Sequence, residues 1–144
     1  MTNTNSEKNI INNFLTAMVT TATEHEFEQH MELISKKVAV YGVPGFETVG
    51  YDDWFRQCEK EFNEKLIKQV RYEGLKIIKA TDLIIMFKTI EHIESTDNKK
   101  SATAVEMVII FEQDEADGET KGVWRVNQEK ILPDKELITI KAMD

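Results

Sequence analysis

From residue 69 onward the chain is dominated by strand-forming residues. Four β-branched and aromatic runs, near 69–79, 82–94, 102–113 and 122–132, follow one another, with polar turn segments such as STDNKK and DEADGETK between them. Strands this close in sequence predict an antiparallel sheet, and a sheet with one apolar face needs a second layer to cover it. The first half supplies that layer. Ile10, Ile11, Phe14, Leu15, Met18 and Val19 recur at helical spacing and predict a first helix. Thr23 with Glu26 has the spacing of a capping box, after which Phe27, Met31 and Ile34 mark a short second helix. A strand over 36–43 ends at Pro44-Gly45. Trp54, Phe55, Cys58, Phe62 and Leu66 then define a third, amphipathic helix, with Asp52/Arg56 and Glu61/Lys65 placed as i,i+4 ion pairs. The fold class expected is α+β, with three N-terminal helices on a curved antiparallel sheet.

Alternation along the strands sorts their faces. Val105, Met107, Ile109 and Phe111 share the side expected to face the helices, with Leu83, Ile85 and Phe87 and with Trp124 and Val126. By the same count Thr89, Glu91 and Gln128 point inward, whereas Lys88, His92, Glu106 and Arg125 point outward, where Lys88 and Arg125 are placed to pair with Glu106.

The 144 residues suffice for a single domain over 1–144, with 1–6 expected to be disordered and 133–144 a C-terminal extension. A net charge of −8 opposes binding to phosphate backbones and anionic lipid, so neither nucleic acid nor a membrane is expected as a partner. The single cysteine, Cys58, rules out an intramolecular disulfide and suits a reducing compartment. The polar start MTNTNSEKN is unlike a secretory leader, and cytoplasm is the expected location. No cofactor motif is present. His25, His30 and His92 have no metal-ligand spacing, so neither metal nor cofactor is expected.

Two stretches carry a family resemblance. VAVYGVPGFETVGYDDW, residues 38–54, resembles the first strand, loop and pre-helix glycine (here Gly50) of the nuclear-transport-factor-2-like superfamily. GVWRVNQEKIL, residues 122–132, resembles its last strand. The resemblance implies a cone-shaped half-barrel with a pocket between helices and sheet, within a superfamily that includes ketosteroid isomerases and SnoaL-like cyclases. Isomerases, dehydratases, epoxide hydrolases, cyclases and non-catalytic proteins share that fold, so the residues of the site must decide function. The tyrosine and paired carboxyls known in ketosteroid isomerases find no match by position, because the first helix here has no tyrosine.

Each candidate residue has a functional reading and a structural one. His30, beside an apolar helix face, reads as an acid or base at a pocket mouth, or as a hydrogen-bonded structural histidine. Tyr41 and Tyr51 flank the loop that would rim a cavity and could orient a ligand carbonyl or hydroxyl, or plug the cone. Trp54 reads as pocket lining or core. An inward Glu91 would have a raised pKa and serve in proton transfer, unless register slips and leaves it in solvent. Thr89 and Gln128 are the neutral hydrogen-bonding candidates, Glu47 a carboxylate in the loop, and Cys58 a packed side chain. The function expected is binding of a small apolar or amphipathic molecule, with cofactor-independent proton transfer by Glu91 or His30 if there is turnover. The alternative is an interaction module with a filled cavity. A homodimer is expected through the outer sheet face, which carries Ile84, Met86, Ile90, Val108 and Ile110, with the tail KELITIKAMD as a further short strand.

Overall fold

The computed structural model describes residues 4–45, 47–116 and 118–141. Its elements in order are α1 (Thr4–Thr23), α2 (Phe27–Met31), β1 (Ile34–Tyr41), α3 (Tyr51–Asn63), β2 (Ile67–Ala80), β3 (Ile84–Ser95), β4 (Lys100–Ala116), β5 (Glu119–Ile131) and α4 (Lys135–Lys141). This is the expected α+β class. Of the lead 1–6 expected to be disordered, residues 1–3 lie outside the described residues, and α1 begins at Thr4.

One sheet in the order β1-β5-β4-β3-β2 forms the second layer. The four long strands pair antiparallel as predicted, whereas β1 runs parallel to β5. The apolar stripe of α1 explains its length. Ile11, Phe14, Leu15 and Met18 are buried against Ile85, Phe87, Val105, Met107, Ile109 and Val126 of the sheet, all six of them at 0% exposure. Leu83, expected to face this core, lies before β3 and is 59% exposed.

Several local expectations need correction. Thr23 does not cap α2: it completes α1, His25 turns the chain at φ 57°, and Glu26 stands at the cap position without a side-chain bond. Ile34 belongs to β1 rather than α2, because the Leu33 carbonyl accepts from the Val126 N–H at 2.9 Å and draws the chain into the sheet. In α3, Arg56 makes its ion pair with Asp53 at 3.5 Å and donates only to the backbone carbonyl of Asp52, at 3.3 Å, and Lys65 lies beyond the helix end at φ 51°, so the Glu61/Lys65 pair is not made.

Over its described residues, 135–141, the tail is a helix, not a strand, while residues 142–144 lie outside them. α4 lies on the outer face of the sheet, where Ile140, Ile90 and Ala104 are buried to 1% exposure or less with Leu132 and Leu137 packed around them. This docking overrides the strand propensity of ITI, and Ile90, expected on an uncovered face, is covered by the chain itself. Lys88 pairs with Glu136 of α4 at 3.6 Å rather than with its cross-strand neighbour Glu106. Arg125 likewise ignores Glu106. Its guanidinium donates to the Glu32 carbonyl at 2.7 Å and bridges Glu32, Glu112 and Asp114, while the Ser35 hydroxyl donates to Glu112 at 3.0 Å. These bonds hold Arg125 well above its ordinary pKa and tie the α2–β1 junction to β4 and β5.

Candidate functional site

A cavity of ≈ 710 Å³ opens between α3 and the concave face of the sheet. The walls from α3 are Trp54, Cys58, Glu61 and Phe62, with His30 of α2 beside them. The sheet contributes Tyr72, Glu91 and Glu129.

Register explains the sheet wall. Tyr72 on β2 lies opposite Glu91 on β3, and its hydroxyl donates to Glu91 Oε2 at 3.0 Å. Glu129 arrives by a β-bulge. Ile109 pairs with Val126 and Val108 with Gln128, so β5 has one extra residue, Asn127, and its alternation inverts there. Glu129 therefore pairs with the fully buried Met107 and faces the cavity, while Gln128 pairs with Val108 on the outer face. The expectation that Gln128 points inward is thereby corrected.

The electrostatics follow from burial. Glu129 is 7% exposed, and its carboxyl has no hydrogen-bond partner among the described residues. Desolvation, with the charge of Glu91 added, raises its pKa to about 8, so it carries a proton at neutral pH. Glu91 is also raised by burial, with the Tyr72 hydroxyl opposing the shift and the Glu61 charge adding to it. Burial and the two nearby carboxylates push Tyr72 well above its ordinary value, so it remains a hydrogen-bond donor. On the opposite wall, burial lowers His30 to about 4, and its Nδ1 lies 2.8 Å from Thr21 Oγ1. Burial pushes the Cys58 thiol up to about 12, which keeps it in the unreactive thiol form. The arrangement offers a neutral carboxylic acid and a tyrosine-bonded carboxyl on one sheet wall, a combination suited to moving protons without a cofactor. Among the described residues no three His, Cys, Asp or Glu side chains converge to hold a metal.

Of the candidates read from sequence, His30, Trp54 and Glu91 lie together in this cavity. Cys58 lines it as well, and the remaining candidates lie elsewhere. Tyr41, at the end of β1, is 40% exposed, and Tyr51 at the start of α3 packs its ring on Phe55 with centroids 6.2 Å apart. Thr89 is fully buried, but its hydroxyl closes the β2 bulge by donating to the Gly74 carbonyl at 2.6 Å. Glu47 is exposed in the loop. His92 bonds Glu73 at 2.8 Å, and His25 the Ile67 carbonyl at 3.2 Å. Sequence reasoning missed Tyr72 and Glu129. The first had a signal, because it alternates with Val70, which is buried; the second was displaced by one residue at the bulge.

No helix among the described residues is long and apolar enough to cross a membrane. No curated protein matches the chain. Solved structures do match. A nuclear-transport-factor-2-like protein of unknown function from Shewanella oneidensis aligns with a TM-score of 0.66 at 8% identity, covering 87% of this chain and 98% of its own. A ketosteroid isomerase-like protein from Erwinia carotovora atroseptica aligns at 0.55 and 12% identity over 85% and 92%. A candidate scytalone dehydratase from Novosphingobium aromaticivorans aligns at 0.53 and 12% identity over 88% and 83%. At these identities the likeness is one of fold. The sequence itself matches the SnoaL-like domain over residues 11–130, nearly the whole of the two-layer body, and the chain therefore belongs to the SnoaL-like domain family.

Proposed function

We propose that the cavity binds a small neutral, apolar or amphipathic molecule and catalyses cofactor-independent proton transfer on it, of the isomerase or dehydratase type. The observation that carries this reading is Glu129: a carboxyl buried on the sheet wall of the cavity, without a hydrogen-bond partner among the described residues, and on the same wall as a second carboxyl held by a tyrosine. A buried acid left unpaired costs stability, which a bound substrate repays.

In this reading the Glu91 carboxylate, oriented by Tyr72, removes a proton from a carbon next to a carbonyl. The neutral Glu129 donates to the oxygen on which charge develops. For isomerisation Glu91 returns the proton at a second carbon; for dehydration Glu129 protonates the departing hydroxyl and becomes the carboxylate. His30, held neutral, is a poorer base at physiological pH than Glu91. The isomerase-like and dehydratase-like neighbours support the reaction class by analogy of fold. An interaction module with a filled cavity is the weaker reading, because ≈ 710 Å³ remains open.

The test is hydrogen–deuterium exchange at α-carbons in D₂O, followed by NMR on a panel of cyclic enones and β-hydroxyketones first shown by thermal shift to bind. Enzyme-accelerated exchange is expected, reduced about 10²- to 10⁴-fold in Glu129→Gln or Glu91→Gln. Binding without acceleration, or acceleration unchanged in both variants, overturns it.

A further inference from the structure

The wall facing the carboxyl pair has a polarity of its own, set by a hydrogen-bond chain that begins outside the cavity. Thr21 Oγ1 lies 2.7 Å from the Ala17 carbonyl, its partner four residues earlier in α1, and 2.8 Å from His30 Nδ1. A hydroxyl has one proton, and a backbone carbonyl can only accept. The Thr21 proton is therefore committed to α1, and the Thr21 oxygen accepts from His30. That places the imidazole proton on Nδ1 and leaves Nε2 as a bare acceptor.

Nε2 has no protein donor among the described residues, yet no fully buried side-chain nitrogen or oxygen lacks a partner, so Nε2 must meet open space. His30 is 6% exposed overall and lines the cavity. Among the described residues, this cavity is the open space that His30 lines.

We infer that His30 Nε2 is the acceptor subsite of the cavity, and that the ligand is a neutral molecule bearing a hydroxyl or N–H at the end away from its reacting carbonyl. This rests on the proposed reading of the cavity and deepens it by naming a second polar group of the ligand. An acceptor on one wall and a protonated acid on the other require a donor at one end of the ligand and an acceptor at the other. A purely hydrocarbon end at His30 would strand the lone pair away from water.

The probes are 2-naphthol and naphthalene, equal in carbon skeleton and differing by one neutral hydroxyl. Their dissociation constants are measured at pH 7 by NMR titration, together with the His30 ring ¹⁵N shifts. We expect the free protein to show the neutral Nδ1–H form, 2-naphthol to bind about tenfold or more tightly than naphthalene, and its binding to move the Nε2 resonance. His30→Leu should abolish the preference. Should that variant not fold, Thr21→Val, which lies outside the cavity lining, frees Nδ1 and should reduce the preference several-fold while redistributing the tautomers. An Nε2–H tautomer in the free protein, equal affinity for the two probes, a preference that survives His30→Leu, or one that Thr21→Val leaves undiminished overturns the inference. Glu129→Gln separates it from the catalytic reading. The preference should persist there; if it vanishes there and survives at His30→Leu, the acceptor subsite is wrong while the acid at position 129 stands.

Discussion

Glu129 and His30 sit in one cavity with opposite kinds of perturbed ionisation, and each leaves a distinct mark on stability. The folded pKa of Glu129, about 8, lies above its ordinary 4.5, so folding is uncompromised below pH 4.5 and is progressively penalised as the pH rises through 8. His30 behaves in reverse. Its folded pKa of about 4 lies below 6.5, so its contribution is complete above pH 6.5 and is lost as the pH falls through 4. The two slopes oppose one another between pH 4.5 and 6.5 and leave only the carboxyl's penalty above that. Glu129→Gln removes the ionisable group while keeping most of the shape. It should gain about 2 to 4 kcal/mol over the unmodified chain at pH 8.5 and little at pH 4.5. Urea melts of both proteins across this range check it; a parallel offset at every pH would mean that Glu129 is not desolvated in the fold.

The elements that frame the cavity were legible in sequence wherever periodicity was long and the environment one-sided. The stripe of α1 and the 85/87 and 105/107/109 alternations are the cases. They faded where tertiary contacts decided. Nothing in VWRVNQEKI marks Asn127 as the bulged residue, yet that insertion decides whether a glutamine or a glutamate enters the cavity. Nothing local in KELITIK favours a helix over a strand. Its helix depends on Ile140 docking beside Gly74 at the β2 bulge, where the backbone has φ 75° and an added Cβ would lie 2.8 Å from the Ile140 side chain. Gly74→Ala thus meets both a left-handed backbone and a blocked seat. It should cost about 1–3 kcal/mol, and Ile140→Ala should cost about 2–5 kcal/mol by emptying the same contact. Because both act on one interface, the double variant should fall short of the sum, which denaturant melts of the three proteins measure. Full additivity would show that α4 does not draw its stability from this seat.

With α4 docked, the outer sheet face is divided rather than bare. Ile90 and Ala104 lie beneath the helix, while Ile84 remains 46% exposed beside its half-buried strand neighbour Ile110 and half-buried Met86. We propose that a second copy of this chain covers that remaining half, related by a two-fold axis so that the patch meets itself. The flanking charges argue for a specific partner rather than indiscriminate association. Glu106 lies beside the patch on β4, while Lys88 is held by Glu136, so α4 takes part in setting which charges the edge of the patch presents. A net charge of −8 on each copy repels a second copy at long range, and the association should therefore strengthen with moderate salt, which screens that repulsion. Light scattering at micromolar concentration should give twice the chain mass in moderate salt. Ile84→Glu should shift it to the monomer, because pairing would then bury an unpaired carboxylate, while a residue already exposed leaves the fold of each copy intact. A monomer at every salt concentration would remove the dimer altogether, and a dimer that tolerates Ile84→Glu would move its interface off this face.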